Sequence, residues 1–162
     1  MPRSQTKQEW VKQAFDDIHK EIKDKEELSY LDFLRIRNFK LNNSTLEEEQ
    51  TIQEKTRKAF KEANNNQLTQ AIQTLCELDG VRAPTASAIL AIKNPKKYAI
   101  LDRKVISALY KQKAINEETR DKWLKRYDKD ATIYEAYIKT LRENKPKDKT
   151  LREYEYSLYL EG

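Results

Sequence analysis

Glycine is nearly missing from this chain: of 162 residues, only Gly80 and Gly162 are glycine. Tight turns between strands rely on glycine, because many of their positions need a positive φ. With two glycines and four prolines, the chain lacks the turn residues for the many reversals of an all-β fold. The apolar residues point the same way. They recur at steps of three and four, the period of a helix with one buried face. Trp10, Ala14, Phe15, Ile18 and Ile22 form one stripe; Leu28, Leu31, Phe33, Leu34 and Ile36 form a second. Over 67–78, Leu68, Ala71, Ile72, Leu75 and Leu78 share a face. A later helix starts at Asp102 and turns Val105, Ile106, Leu109 and Tyr110 inward. Segments around 117–127, 131–142 and 150–160 complete the pattern. The expected fold is all-α, a compact multi-helix bundle forming one domain over 1–162.

Helix boundaries follow from polar breaks. Asn42-Asn43-Ser44 interrupts the chain. Ser44 or Thr45 is expected to cap a third helix, with Glu47 to Glu49 in its first turn, where the helix dipole favours acid. That helix should end at Asn64-Asn65-Asn66, and "NKPKDK" (144–149) should be an exposed loop. Gly162, at the end of the chain, is expected to constrain nothing. No internal repeat and no long linker is evident.

Charge and cysteine content narrow the function classes. Charged residues make up 36% of the chain, the net charge is +5 and the pI is about 9.1. That balance suits a nucleic-acid partner, as it also suits lysine-rich solvated helices. The single cysteine, Cys76, excludes an internal disulfide and a cysteine-held cluster. It is expected to be a small core residue between Leu75 and Leu78. His19 lies in a charged stretch and is expected at the surface. Glu47 to Glu49 lack a His or Asp at ligand spacing, so no metal site is expected there. The longest apolar run, "ASAILAI", is far too short to cross a bilayer, and no signal peptide is visible. A cytoplasmic protein with no membrane partner is expected.

Gly80 stands in "LDGVRAPTASAIL" (78–90). A glycine there can take the positive φ on which many helices stop. Pro84 suits the first turn of a helix beginning near Ala83, where its missing N–H costs little. The small residues Ala83, Ala86, Ser87, Ala88 and Ala91 allow that helix to pack closely on a neighbour. The stretch therefore predicts a tight helix–turn–helix hairpin, over about 68–93.

From Leu75 to Leu90 the same residues resemble the helix-hairpin-helix motif, a DNA clamp that is not sequence-specific. Downstream, "NPKKYAILDRKVISALY" (94–110) resembles the segment that follows the hairpin in the helix-hairpin-helix DNA glycosylase superfamily. More loosely, the whole chain resembles small bacterial members of that superfamily. The resemblance implies that hairpin backbone N–H groups face a DNA phosphate, here from Gly80, Val81, Arg82, Ala83 and Thr85. It implies no cofactor, with a monovalent cation at the hairpin as the one bound group it allows. It also implies that Asp102, 18 positions after Pro84, is the catalytic carboxylate. Arg103 and Lys104 would add a basic rim with Lys96 and Lys97. Three departures are visible. Arg82 replaces the second hairpin glycine. Pro84 stands where strand-nicking members carry a lysine, so no Schiff-base lyase activity is expected. The four cysteines of the iron–sulfur loop are absent.

The chemistry implied is hydrolysis of an N-glycosidic bond. Positive charge builds on the deoxyribose, and a carboxylate beside C1′ stabilises it and orients a water. The base must leave the stack, at a cost of roughly a few kcal/mol, and enter a slot. From sequence proximity, Tyr30, Phe33, Phe39 and Tyr98 are candidate slot aromatics, and Arg37 a donor to an edge or a phosphate. Tyr154, Tyr156 and Tyr159 are expected to pack the last helix instead. Asp102 equally fits a plain N-cap, and Gly80 a plain C-cap. Three readings thus stand: a monofunctional DNA glycosylase, a non-catalytic DNA binder (RNA being open for both), and a helical partner-binding protein.

Overall fold

The computed structural model of the protein describes residues 6–40 and 47–162. The described residues form nine α-helices and no strand. In chain order they are α1 (Lys7–Ile22), α2 (Tyr30–Lys40), α3 (Glu49–Asn64), α4 (Leu68–Leu75), α5 (Ala83–Lys93), α6 (Arg103–Lys111), α7 (Glu117–Arg126), α8 (Ala131–Asn144) and α9 (Leu151–Glu161). The all-α expectation holds.

Most starts obey local chemistry. Thr6 with Glu9, and Thr150 with Glu153, form capping boxes, each satisfying two N–H groups that would otherwise lack partners. Asp102, Asn116 and Asp130 each accept an N–H from the first turn of the helix they precede. The third helix departs from expectation. Ser44 and Thr45 lie outside the described residues, and α3 begins only at Glu49, behind Glu48, which makes no side-chain cap bond. Its neighbours serve other elements: Glu49 accepts the Tyr30 N–H at 2.9 Å, and Glu47 accepts the Asp79 N–H at 2.8 Å.

Helix α5 is central. Every residue from Thr85 to Ile92 is buried, as a helix apolar on all sides must be. It packs on α1, α2, α4 and α8, while α3 lies along α4, and α9 along α6. Small side chains allow these close approaches.

Residues 98–102, between α5 and α6, are largely buried outside any helix, and their backbone must find partners there. Tyr134 Oη donates to the Ala99 carbonyl at 2.9 Å and Tyr137 Oη to the Ile100 carbonyl at 2.6 Å. Ile100 N–H donates to Glu155 at 2.8 Å, and Leu101 N–H to Ser87 Oγ at 2.8 Å. Burial holds both phenols well above the usual tyrosine range, so they stay neutral donors. Three helices thereby fix the strap that ends at Asp102. Replacing Tyr137 by Phe should leave the Ile100 carbonyl unpaired in the core and cost about 1–3 kcal/mol, read as a lowered denaturant midpoint with an unchanged slope.

Several stripe positions are corrected. Trp10 and Leu31 are 50% and 70% exposed; helical spacing places them beside the core stripe, and the neighbouring helices do not cover that edge. Tyr110 is only half-buried, beneath the Arg120 guanidinium at 4.1 Å. Cys76 is half-buried at the end of α4, and burial pushes its thiol up to about 11. His19, expected at the surface, is half-buried, with Nδ1 2.7 Å from the Ile92 carbonyl. A carbonyl only accepts, so that nitrogen carries the proton. Gly162 is also constrained: a Cβ there would lie 2.2 Å from the Lys104 carbonyl oxygen.

Candidate active site

Around Gly80 the chain turns from α4 into α5. Helix α4 stops at Leu75, two turns follow, and Gly80 takes φ +72° before α5 starts behind Arg82. Val81 N–H donates to the Leu78 carbonyl at 3.1 Å, closing the turn. Arg37 of α2 lies directly under Gly80. Its Nη1 donates to the Asp79 carbonyl at 2.7 Å, and a Cβ on Gly80 would stand 2.6 Å from that nitrogen. The glycine is thus required twice, for its φ and for the guanidinium beneath it.

The expected phosphate contacts separate by burial. Gly80, Arg82, Arg103 and Lys104 are exposed. Val81, Ala83 and Thr85 are buried, which leaves any contact from them to the backbone. Arg82 is engaged with Asp128 at 3.2 Å. Exposed ion pairs of this kind are weak, on the order of 1 kcal/mol or less.

The expected base slot does not assemble. Phe33 is in the core, and Tyr98 is buried with its Oη donating to the Ala63 carbonyl at 3.0 Å. Tyr30 sits half-buried at the start of α2, and Arg37 is buried under Gly80. Phe33 and Arg37, one turn apart on α2, face inward together, the guanidinium 5.8 Å from the Phe33 ring, and Tyr98 lies beyond α5.

Asp102 instead opens on a different cleft. Its carboxylate accepts the Lys104 N–H at 2.7 Å as the N-cap of α6, and the residue is half-buried. It lines a cavity of about 550 Å³. Trp10 and Val11 of α1, Phe39 of α2, and Arg152, Tyr156 and Tyr159 of α9 form the walls. Tyr156 and Tyr159 stack at 5.9 Å with planes 11° apart, and Lys104 Nζ lies 5.0 Å over the Tyr159 ring. Of the slot aromatics expected from the sequence only Phe39 is here. Arg152 was missed; Trp10, expected in a core stripe, and Tyr156 and Tyr159, expected to pack or edge the last helix, line the cleft as well. Their one local signal is the i, i+3 spacing of Tyr156 and Tyr159, which cannot say which element faces them.

The cleft is tied to α5. The Leu101 N–H, one residue before Asp102, is held by Ser87 Oγ. Ser87 is four residues after Ala83, about 6 Å of helix rise from the start of α5. Helix α2 also reaches both places, with Arg37 under Gly80 and Phe39 in the cleft. The volume and flat walls can hold a nucleotide-sized ligand with a carboxylate at its edge.

No protein-family model, curated protein or solved structure matches the chain. Among the described residues, no three His, Cys, Asp or Glu side chains converge as a metal-binding group, and no helix is long and apolar enough to cross a membrane.

Proposed function

We propose that the protein grips a nucleic-acid backbone, DNA in the first instance, with the α4–α5 hairpin and hydrolyses an N-glycosidic bond with Asp102 as the catalytic carboxylate. The observation that carries this reading is the position of Asp102 on the wall of an open aromatic cleft, one residue beyond the Ser87 tie to the hairpin helix. A backbone held at Gly80 would leave an extruded nucleoside a short reach from that carboxylate. There the carboxylate stabilises charge at C1′ and orients water, while the aromatic walls replace lost base stacking. Pro84 provides no amine, so the product is an intact strand with an abasic site.

The test is a panel of duplexes carrying damaged or modified bases, incubated with protein and then treated with alkali. Breaks that appear only after alkali are the expected result. Uncut strands across the whole panel, with duplex affinity that falls steeply with salt, would instead identify a binder without catalysis. Absence of any duplex affinity would favour the partner-binding reading, which fits the turn itself, where Glu47 already holds the Asp79 N–H and Asp128 holds Arg82, so that two of its donors meet carboxylates.

A further inference from the structure

We infer that the cleft selects bases whose edge presents a carbonyl acceptor, and that Arg152 reads that edge. The inference rests on reading the cleft as a base pocket. Arg152 is held on three sides. Its guanidinium lies 4.5 Å over the Phe15 ring and 4.7 Å over the Tyr156 ring. Its Nη1 donates to both oxygens of Glu155 at 2.7 Å, and its backbone N–H donates to the Pro95 carbonyl at 3.0 Å. Two ring stacks and a pinned nitrogen fix the plane of the fork, so little freedom remains to lose when a ligand binds. Among the described residues every hydrogen bond of the guanidinium runs through Nη1. Donor capacity therefore remains on a side chain that lines the cleft and is 12% exposed.

Charge decides what those donors suit. Glu155 is 1% exposed and also accepts the Ile100 N–H, so its oxygens are committed to the protein. It neutralises Arg152 where solvent screening is weak. A guanidinium already paired with a buried carboxylate, with N–H groups to spare, fits a neutral acceptor better than a phosphate. Trp10, Phe39 and Tyr156 accept any flat ring, so the walls do not discriminate. The edge does: a ring carbonyl meets donors, whereas an exocyclic amino group meets donors with its own N–H.

The test compares free hypoxanthine with free adenine, purines of one size that differ in the keto or amino group and the adjoining N1 proton. Trp10 reports occupancy in a Trp123→Phe background, since these are the two tryptophans and Trp123 is buried. Hypoxanthine should bind about tenfold or more tightly than adenine, the size of one good edge contact. The paired change Arg152→Met with Glu155→Gln keeps an acceptor for the Ile100 N–H and should erase the preference. Equal affinity, a preference for adenine, or a preference unchanged in the paired variant would overturn the inference. The first comparison uses no change at Arg152, so a misfolded double variant does not decide it. Base release from duplexes without any keto preference removes this inference alone. A keto preference without base release removes the glycosylase reading and leaves the pocket. No binding of either base removes the inference, and the alkali assay then judges the function by itself.

Discussion

Asp102→Asn should retain duplex affinity and lose base release by at least about 100-fold, a loss in the range seen when one preorganised group is removed from a charge-stabilising site. Asparagine is nearly the same shape and is as good an N-cap as aspartate. It can still accept the Lys104 N–H that Asp102 accepts now, so thermal stability should change by less than about 1 kcal/mol. The exchange therefore separates the N-cap role of Asp102 from its proposed catalytic role. Asp102→Ala removes both, and should show the activity loss together with about 0.5–2 kcal/mol of destabilisation. Single-turnover base release and gel-shift affinity, measured on the same duplex, check the pair. Full activity in the Asn variant would end the catalytic assignment.

Gly80→Val should destabilise the fold by about 2.5–5 kcal/mol. Part of this is backbone strain: the residue sits at φ +72°, which costs a residue with a Cβ about 1–2 kcal/mol. The rest comes from Arg37. The new Cβ would stand 2.6 Å from Nη1, and a buried guanidinium displaced from the Asp79 carbonyl loses a charge-assisted bond of about 1.5–3 kcal/mol. Gly80→Asn separates the two, because asparagine tolerates positive φ but still brings the Cβ. Denaturant melts at constant slope read both effects. A change below about 0.5 kcal/mol for the valine variant would show that Gly80 is not the hinge of this turn.

Arg37 shows why the site was only partly legible. Its type suggested a donor to an edge or a phosphate, yet it lies under Gly80 with one buried nitrogen, Nε, unpartnered. Phe33 and Tyr98 were plausible base partners by proximity and became core. Phe39, on the same helix as Phe33, did reach the cleft. The difference is rotation around α2, which helical spacing describes only relative to a core whose direction must come from other helices. Tyr156 and Tyr159 pose the same problem: packing of α9 against α6 turns them toward Asp102.

By itself the sequence determined the helical class, most helix starts, the turn at Gly80 and the placement of Asp102 at the head of α6. Each depends on interactions within about one turn of chain: a period, a cap, a φ value or a missing Cβ. Tertiary structure alone decided which aromatics face Asp102, that the Arg152 guanidinium lies over the Phe15 ring, and that residues 98–102 run buried between Ser87, Tyr134, Tyr137 and Glu155. Those contacts join residues at least 14 positions apart, and their geometry is set by how helices pack, which no local pattern records.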